Sequence, residues 1–179
     1  MLGTRVRLRE KKITDARNDY RWQTSPELAR LDAMPLLNLS FPRYLLAFAA
    51  TLRNPAPKRR TFAIETLDGR HIGNCVYYNI DRAKGEAELG IMIGDPKYWG
   101  KGYGADAVNT LVDYLFHDMD MQRVHLKTLD WNERAQRCFL KCGFAPCGQR
   151  VENGHNFLLM EMTRECWQKR EARIKEASS

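Results

Sequence analysis

Long hydrophobic runs are missing from this sequence of 179 residues. No apolar stretch approaches the roughly 18 to 20 residues that a membrane-spanning helix needs, which excludes such a helix. The opening residues, MLGTRVRLREKK, carry charge with no apolar segment behind them, so they do not form a secretory signal. We therefore predict a protein without membrane contact and with a cytoplasmic location.

Glycine, proline and cysteine are also sparse. Twelve glycines and seven prolines are too few for a collagen-like or low-complexity chain, and no internal repeat or Ser/Gly linker occurs. The sequence thus predicts a single domain over 1–179, with a disordered tail at 177–179.

The five cysteines are odd in number and include no C-x-x-C pair, which favours reduced thiols over a disulfide framework. A zinc site built from Cys138, Cys142, Cys147 and His155 would not have the spacing of a known zinc module. We predict no metal.

Acidic residues are outnumbered by basic ones, 22 against 29, which leaves a net charge of +7. This charge favours an anionic partner, such as a nucleotide, a phosphorylated cofactor, a nucleic acid or an anionic protein face. It does not choose among them, and a basic surface without such a partner has the same composition.

The hydrophobic pattern predicts alternating blocks of strands and helices. Short turns such as Asp68-Gly69 indicate an antiparallel meander, and the strand, loop, helix, strand order after it indicates one parallel crossover. The predicted fold class is α/β (α+β), a mixed, mostly antiparallel central sheet flanked by helices. We predict strands over 5–8, 61–66, 71–80, 86–93, 124–129, 145–151 and 156–163, and helices over 15–22 (capped by Thr14), 26–31, 40–52, 105–119, 133–142 (ended by Gly143) and 164–177.

A glycine-rich loop, Trp99-Gly100-Lys101-Gly102-Tyr103-Gly104, joins a predicted strand to a predicted helix. Glycines let the backbone approach a ligand closely, and the free N–H groups at a helix start attract phosphate. A Walker A loop is excluded, because Asp95 and Gly102 stand where Gly and Ser/Thr are needed. A KH-type RNA loop has no support around it.

Two other interpretations of the loop stay open. Gly102, Gly104 and Ala107, with Asp130 after the next strand, match a dinucleotide fingerprint, although too little chain follows for the usual doubly wound sheet. In the second interpretation, the glycine-rich loop has only a structural role and binds no ligand.

Two further motifs flank the loop in a specific order. Glu88-Leu89-Gly90-Ile91-Met92-Ile93 precedes it, and Asn132-Glu133-Arg134-Ala135 followed by Lys141-Cys142-Gly143-Phe144 comes about 30 residues later. With them the chain resembles, nearly end to end, the GNAT N-acetyltransferase superfamily, and within it the ribosomal-protein N-acetyltransferase (RimJ/RimL-like) branch.

The resemblance implies acetyl-CoA as co-substrate. In that family the loop amides bind the pyrophosphate, the strand before the loop pairs with the pantetheine arm, and an Asn contacts that arm. Trp99 departs from the usual Gln or Arg but leaves the amides in place. The implied cofactor-binding residues are Ile91, Met92, Ile93, Gly100, Lys101, Gly102, Tyr103, Gly104, Ala105 and Asn132. Arg134 is a further candidate, because it shares a short helix near the loop with Arg137 and Lys141 and could meet the cofactor phosphates; a solvated basic face is the alternative.

Acetyl transfer needs a base that removes a proton from the charged amine. Glu86 and Glu88 share one face of a strand because of its two-residue period, and the resemblance favours Glu88; two solvated strand-edge carboxylates are the alternative. A backbone N–H near Met92 or Ile93, at an expected bulge, would hold the oxyanion. Asn132 completes the candidate catalytic set, and it could equally be an ordinary helix cap.

A second departure concerns the general acid, because Phe139 stands where the family often has Tyr, and Phe has no proton to donate. Cys138 is a poor substitute. We therefore predict an N-acetyltransferase that moves an acetyl group from acetyl-CoA to a primary amine by direct attack on the thioester. The expected acceptor is a protein N-terminal α-amine or a small-molecule amine, and a homodimer supported by the last helix stays open.

Alternatives from other classes are a non-catalytic GNAT-like module that binds nucleotide or RNA, and a dinucleotide oxidoreductase. We do not expect nucleic acid as a partner.

Overall fold

The computed structural model describes residues 1–177, so Ser178 and Ser179 of the predicted tail lie outside the described residues. Strands and helices follow the predicted order, with most boundaries shifted by one or two residues. The strands are β1 (Val6–Glu10), β2 (Arg59–Thr66), β3 (His71–Asp81), β4 (Glu86–Ile93), β5 (Arg123–Leu129), β6 (Ala145–Glu152) and β7 (His155–Thr163). The helices are α1 (Ala16–Gln23), α2 (Pro26–Leu31), α3 (Phe41–Arg53), α4 (Tyr103–His117), α5 (Glu133–Cys142) and α6 (Arg164–Ala177).

The seven strands form one sheet in the order β1-β2-β3-β4-β5-β7-β6. Strands β4 and β5 pair in parallel, and the other neighbouring pairs are antiparallel. The predicted fold class is confirmed. The doubly wound parallel sheet that a dinucleotide site needs is not formed.

Helix α4 provides the centre of the core on one face of the sheet. Its apolar residues recur at helical spacing, and every one of them on the inner face is fully buried. The buried positions of α4 are Ala107, Val108, Leu111, Val112, Leu115 and Phe116. Because α4 is held over its whole length, the loop at its start is held with it.

The start of α1 differs from the prediction. Residues Ile13–Asp15 form a 3-10 turn, and Thr14 does not cap the helix. Asp15 stands at the N-cap of α1, but its side chain does not cap that helix. Its carboxylate instead accepts the backbone N–H of Lys12 (2.7 Å), at the start of the 3-10 turn, and pairs with Arg9 (2.8 Å).

Strands β4 and β5 pair over only three residues. Their partners are Glu86 with Arg123, Ala87 with Val124 and Glu88 with His125. Beyond Glu88 the strands diverge, while β4 stays paired with β3 as far as Ile93. The divergence opens a gap inside the sheet.

In the described part of the chain, no helix is both long and apolar enough to cross a membrane.

Candidate active site

A cleft of about 410 Å³ lies beside the segment of β4 that no longer pairs with β5. In the described part of the chain, its lining includes no residue of β5 and neither Glu86 nor Glu88. The end of β4 forms one wall, α5 forms the other, and the glycine loop closes one end. Nine of the eleven residues expected to bind a cofactor line this cleft: Ile91, Met92, Ile93, Gly100, Gly102, Gly104, Ala105, Asn132 and Arg134. The other two, Lys101 and Tyr103, lie in the loop without lining it; the Tyr103 ring packs on Tyr98 instead.

The glycine loop has the backbone geometry of an anion site. Gly100 and Gly102 have φ of +69° and +86°, which a residue with a side chain adopts only with strain. Gly102 is the N-cap of α4, so the helix begins at Tyr103, two residues earlier than predicted. The free N–H groups of the first turn therefore lie at the cleft.

Trp99 ties this loop to the strand before it. Its indole N–H donates to the carbonyl of Ile93 (2.7 Å), and its ring lies 3.7 Å from the Arg134 guanidinium of α5. A guanidinium on an indole face is a favourable cation–π pair. The residue that departs from the family's usual Gln or Arg thus links both walls of the cleft.

Asn132 has both of the roles considered for it. Its side-chain oxygen accepts the N–H of Ala135 (3.3 Å) and caps α5, and the residue also lines the cleft. The cap fixes the start of α5, where Arg134 follows. By contrast, Arg137 pairs with Glu133 (3.7 Å) on an exposed helix face, although its residue also borders the cleft.

The two candidate bases have different surroundings, although both lie on β4. Glu86 forms an ion pair with Arg123 (3.2 Å). Glu88 is buried and has no ion pair with Lys or Arg in the described residues. Its carboxylate accepts the Tyr78 hydroxyl (2.7 Å) and the Asn79 side-chain amide (2.9 Å), both neutral donors.

The expected bulge near Met92 or Ile93 is wrong. Pairing between β3 and β4 is regular from Ile93 to Glu88, and the register shifts on β3 instead, between Tyr78 and Asp81. The extra residue gives Asn79 a φ of +51°, a conformation that Asn tolerates better than most residues. This bulge turns the Asn79 amide toward Glu88.

His125 and Tyr78 complete the surroundings of Glu88. His125 Nε2 lies 3.9 Å from the carboxylate, and burial lowers the pKa of this histidine, while the charge of Glu88 acts in the opposite direction. Burial, and then the hydrogen bond to Glu88, raise the pKa of the Tyr78 phenol. Both groups are therefore neutral at physiological pH.

A second carboxylate, Asp32, follows α2 and borders the same cleft. Surrounding protein atoms raise its pKa to about 6, against the charge of nearby Arg59, although part of its side chain remains open to solvent. The charges of Glu88 and Asp32 both contribute to the raised pKa of the Tyr78 phenol.

The remaining predicted features have these positions. Phe139 lines the cleft beside Cys138, whose pKa is lowered by a hydrogen bond with Cys142. All five cysteines are free thiols, and among residues 1–177 no group of His, Cys, Asp or Glu is arranged to hold a metal ion. Sequence reasoning missed Asn79, His125 and Asp32, because their positions around Glu88 and the cleft depend on strand register and helix packing.

The family model for the acetyltransferase (GNAT) domain matches residues 5–145. Among curated proteins, the uncharacterized N-acetyltransferase p20 of Bacillus licheniformis is 28% identical over 124 residues, 69% of each chain. The spermidine N(1)-acetyltransferase of Vibrio cholerae is 29% identical over 93 residues, and the match spans about half of either chain, 52% and 53%.

Solved structures share the fold at lower identity. The spermidine N-acetyltransferase from Vibrio cholerae in complex with CoA and spermine has a TM-score of 0.80 at 21% identity, over 91% of this chain and 98% of that one. A dodecameric structure of the same enzyme has a TM-score of 0.72 at 22% identity, over 92% and 97%. The family match covers most of the chain and contains the cleft, and the chain therefore belongs to the acetyltransferase (GNAT) domain family, which confirms the predicted enzyme class, an N-acetyltransferase.

Proposed function

We propose that this protein transfers an acetyl group from acetyl-CoA to a primary amine at the fork between β4 and β5. The observation that carries the proposal is the position of Glu88, a buried carboxylate at the start of the gap with His125 at 3.9 Å and, in the described residues, no Lys or Arg ion-pair partner. The segment of β4 that follows Glu88 leads to the glycine loop. In this proposal the base and the phosphate site therefore lie at opposite ends of that segment.

Each part of the site has a separate role in the proposed acetyl transfer. The amides of the first turn of α4 and the loop, with Arg134, hold the phosphates of acetyl-CoA, and the unpaired edge of Ile91 to Ile93 pairs with its pantetheine arm. Glu88, acting through water, takes the proton from the incoming ammonium group. The amine then attacks the thioester carbonyl, and a main-chain N–H at the end of β4 stabilises the oxyanion.

As the intermediate collapses, the nitrogen loses its second proton to water, the carbonyl re-forms, and the carbon–sulfur bond breaks to release the CoA thiolate. Phe139 has no proton to give, and we propose that solvent protonates the thiolate. Asn132 positions the cofactor arm through its place at the start of α5.

A small cationic amine, of the polyamine class, is the first acceptor to test. The Tyr78 hydroxyl binds Glu88, and the charge of Asp32 also acts on the Tyr78 phenol. Neither carboxylate forms an ion pair with Lys or Arg in the described residues. Two carboxylates suit an acceptor with a second positive centre, and relatives named spermidine acetyltransferases support this choice. The α-amine of a protein N-terminus, with membership of the RimJ/RimL-like branch, is the second proposal.

Calorimetric titration with acetyl-CoA tests the cofactor. We expect saturable one-to-one binding that Gly104→Glu abolishes, because Gly104 has ordinary backbone angles and its side chain would enter the cleft between Ile93 and Cys138. Gly148→Glu is the matched control, since Gly148 also has ordinary angles and lies on exposed β6. Absence of binding to the wild-type protein would overturn the proposal.

Release of CoA thiol with a panel of acceptors tests the second substrate. The panel holds spermidine, a short peptide with a free N-terminus and single amino acids, each at saturating acetyl-CoA. Turnover of spermidine alone supports the polyamine proposal, and turnover of the peptide alone supports the N-terminal one.

We also propose a homo-oligomer. Strand β6 forms one edge of the sheet, and seven of its eight residues are exposed; the dodecameric relative supports the proposal. Light scattering during gel filtration measures the mass, and a monomer of 20.8 kDa would contradict it.

A further inference from the structure

A cation that the sequence did not single out lies against the start of α4. A Cβ atom at Gly102, the N-cap of this helix, would lie 3.5 Å from Nε and 4.0 Å from Cζ of Arg5. In the part of the chain that the structure describes, no carboxylate is within ion-pair distance of the Arg5 guanidinium.

Asp106, in the first turns of α4, fixes the backbone that carries Arg5. One carboxylate oxygen accepts the N–H of Thr4 (3.1 Å) and its hydroxyl (2.7 Å). The other accepts the N–H groups of Arg5 (2.8 Å) and Val6 (3.0 Å). Four hydrogen bonds to one carboxylate form a strong, charge-assisted clamp between segments about 100 residues apart.

The clamp is close-packed. A Cβ at Gly3 would lie 2.4 Å from the Thr110 hydroxyl and 2.5 Å from an Asp106 oxygen, so only glycine fits there. Residues 3–6 therefore rest directly on α4, which fixes the main chain of Arg5 beside the start of this helix, while the Arg5 side chain is exposed to solvent.

A bound anion would balance the positive charge that Arg5 and the start of α4 bring together. The start of a helix carries partial positive charge, and a cation there is unfavourable unless a negative group joins it. Asp106 offsets part of this charge, but both of its oxygens are occupied by the 4–6 segment. A phosphate in the glycine loop would contact the helix N–H groups and a guanidinium whose donors match its oxygens.

We propose that Arg5 is a phosphate-binding residue for acetyl-CoA and that Asp106 is its positioning residue. The proposal rests on the proposed function, because it specifies how the acetyl-CoA phosphates are held. In this proposal, the main-chain N–H groups of the loop set the position of the phosphates, and Arg5 neutralises their charge.

Arg5→Gln tests the role of the guanidinium. We expect the Kd and the KM for acetyl-CoA to rise about tenfold, the loss typical of a charge-assisted contact, with kcat unchanged. S-acetylpantetheine, which lacks the phosphates, should react equally well with the variant and the wild type. Arg7→Gln is the matched control, because it removes the same charge two residues away, on β1, where the Arg7 side chain is 55% exposed beside Glu65.

Asp106→Asn tests the positioning role. We expect a similar rise in the KM for acetyl-CoA, and no additional rise when Asp106→Asn is combined with Arg5→Gln, because both act through one guanidinium. Thermal unfolding shows whether Asp106→Asn folds. If it does not, Arg5→Gln and the truncated substrate decide the matter.

The outcomes separate the two proposals. A wild-type protein that does not bind acetyl-CoA overturns the proposed function. A wild type that binds, with Arg5→Gln no weaker than Arg7→Gln, overturns the role of Arg5 alone. An equal loss with acetyl-CoA and with S-acetylpantetheine also overturns it, because the phosphates would then not be the target.

Discussion

Glu88 accepts hydrogen bonds from Tyr78 and Asn79 and, in the described residues, forms no ion pair with Lys or Arg, which leaves its carboxylate available to an incoming cation. A carboxylate already paired with Arg would gain less from a bound amine. Glu86, two residues away on the same strand, supplies this contrast within the chain through its pair with Arg123.

Replacing Glu88 by Gln removes the base and preserves the shape. We expect kcat to fall by about 10²- to 10⁴-fold, the usual contribution of a general base, with the Kd for acetyl-CoA little changed. Glu86→Gln, the same change on the same strand, should retain most activity. The rate of CoA release measures both, and equal losses in the two variants would contradict the assignment to Glu88.

Asp15 is a buried carboxylate with a structural role. Burial alone would raise its pKa, but hydrogen bonds from Arg9 and the backbone of Lys12, with the charges of His71 and Lys11, lower it to about 2. A depressed folded-state pKa adds stability above the unfolded value near 3.8, and this stability is lost as the pH falls through about 2.

Asp15→Asn should therefore destabilise the protein by about 3 kcal/mol at pH 7, because it removes one of the two carboxylates that pair with Arg9, the other being Glu65. The difference from the wild type should shrink as the pH falls from 4 toward 2. Urea unfolding across this range measures it. Asp68→Asn, at an exposed carboxylate beside Arg70, should change stability far less; a difference independent of pH would contradict the argument.

At the scale of elements, the loop between β4 and α4 is held at both ends. Trp99 binds the Ile93 carbonyl and supports Arg134, and Gly94 packs directly under Trp22 of α1. A Cβ at Gly94 would lie 2.1 Å from the Trp22 ring. The end of β4 is thus fixed from two directions before any ligand binds.

Two substitutions separate the roles of Trp99. Trp99→Phe keeps a ring for Arg134 and loses the hydrogen bond to Ile93, and Trp99→Leu loses both. We expect the KM for acetyl-CoA to rise in Trp99→Phe and to rise further in Trp99→Leu, by a few-fold more, since a cation–π pair contributes about 1 kcal/mol. Equal KM values in the two variants would show that the ring does not support Arg134.

Gly94→Ala places a methyl group against the Trp22 ring, and overpacking of this kind costs about 1 to 3 kcal/mol. Gly148→Ala is the control, because a Cβ there meets only ordinary contact with Leu159. Thermal unfolding compares them, and equal melting temperatures would contradict the close packing at Gly94.

Sequence patterns predict elements better than the contacts between them. The buried face of α4 follows from its own spacing, and the glycine loop and Asn132 follow from local motifs. The surroundings of Glu88 do not, because Tyr78 and His125 come from strands whose register depends on the bulge at Asn79. Arg5 reaches Gly102 only because Asp106 binds the 4–6 segment, a contact that no local pattern encodes.

For the whole molecule, the prediction of a single domain has a direct test. One sheet runs through the described residues, and one buried core cluster contains residues of α4 and of strands on both sides of the gap. We expect one cooperative unfolding transition with equal calorimetric and van't Hoff enthalpies. Two resolved transitions would contradict a single domain.

The gap between β4 and β5 also divides the sheet mechanically. Strands β1 to β4 form one half and β5, β7 and β6 the other, and within the sheet only three residue pairs join them. We expect these three pairs to act as a hinge. The two halves would open and close about it by small angles, and the strand pairing within each half would stay intact. A ligand that contacts both edges of the gap would prevent this opening. Amide hydrogen exchange along β4 beyond Glu88 and along β5 beyond His125 should therefore be slower with the ligand bound, and exchange in the outer strands should be unaffected.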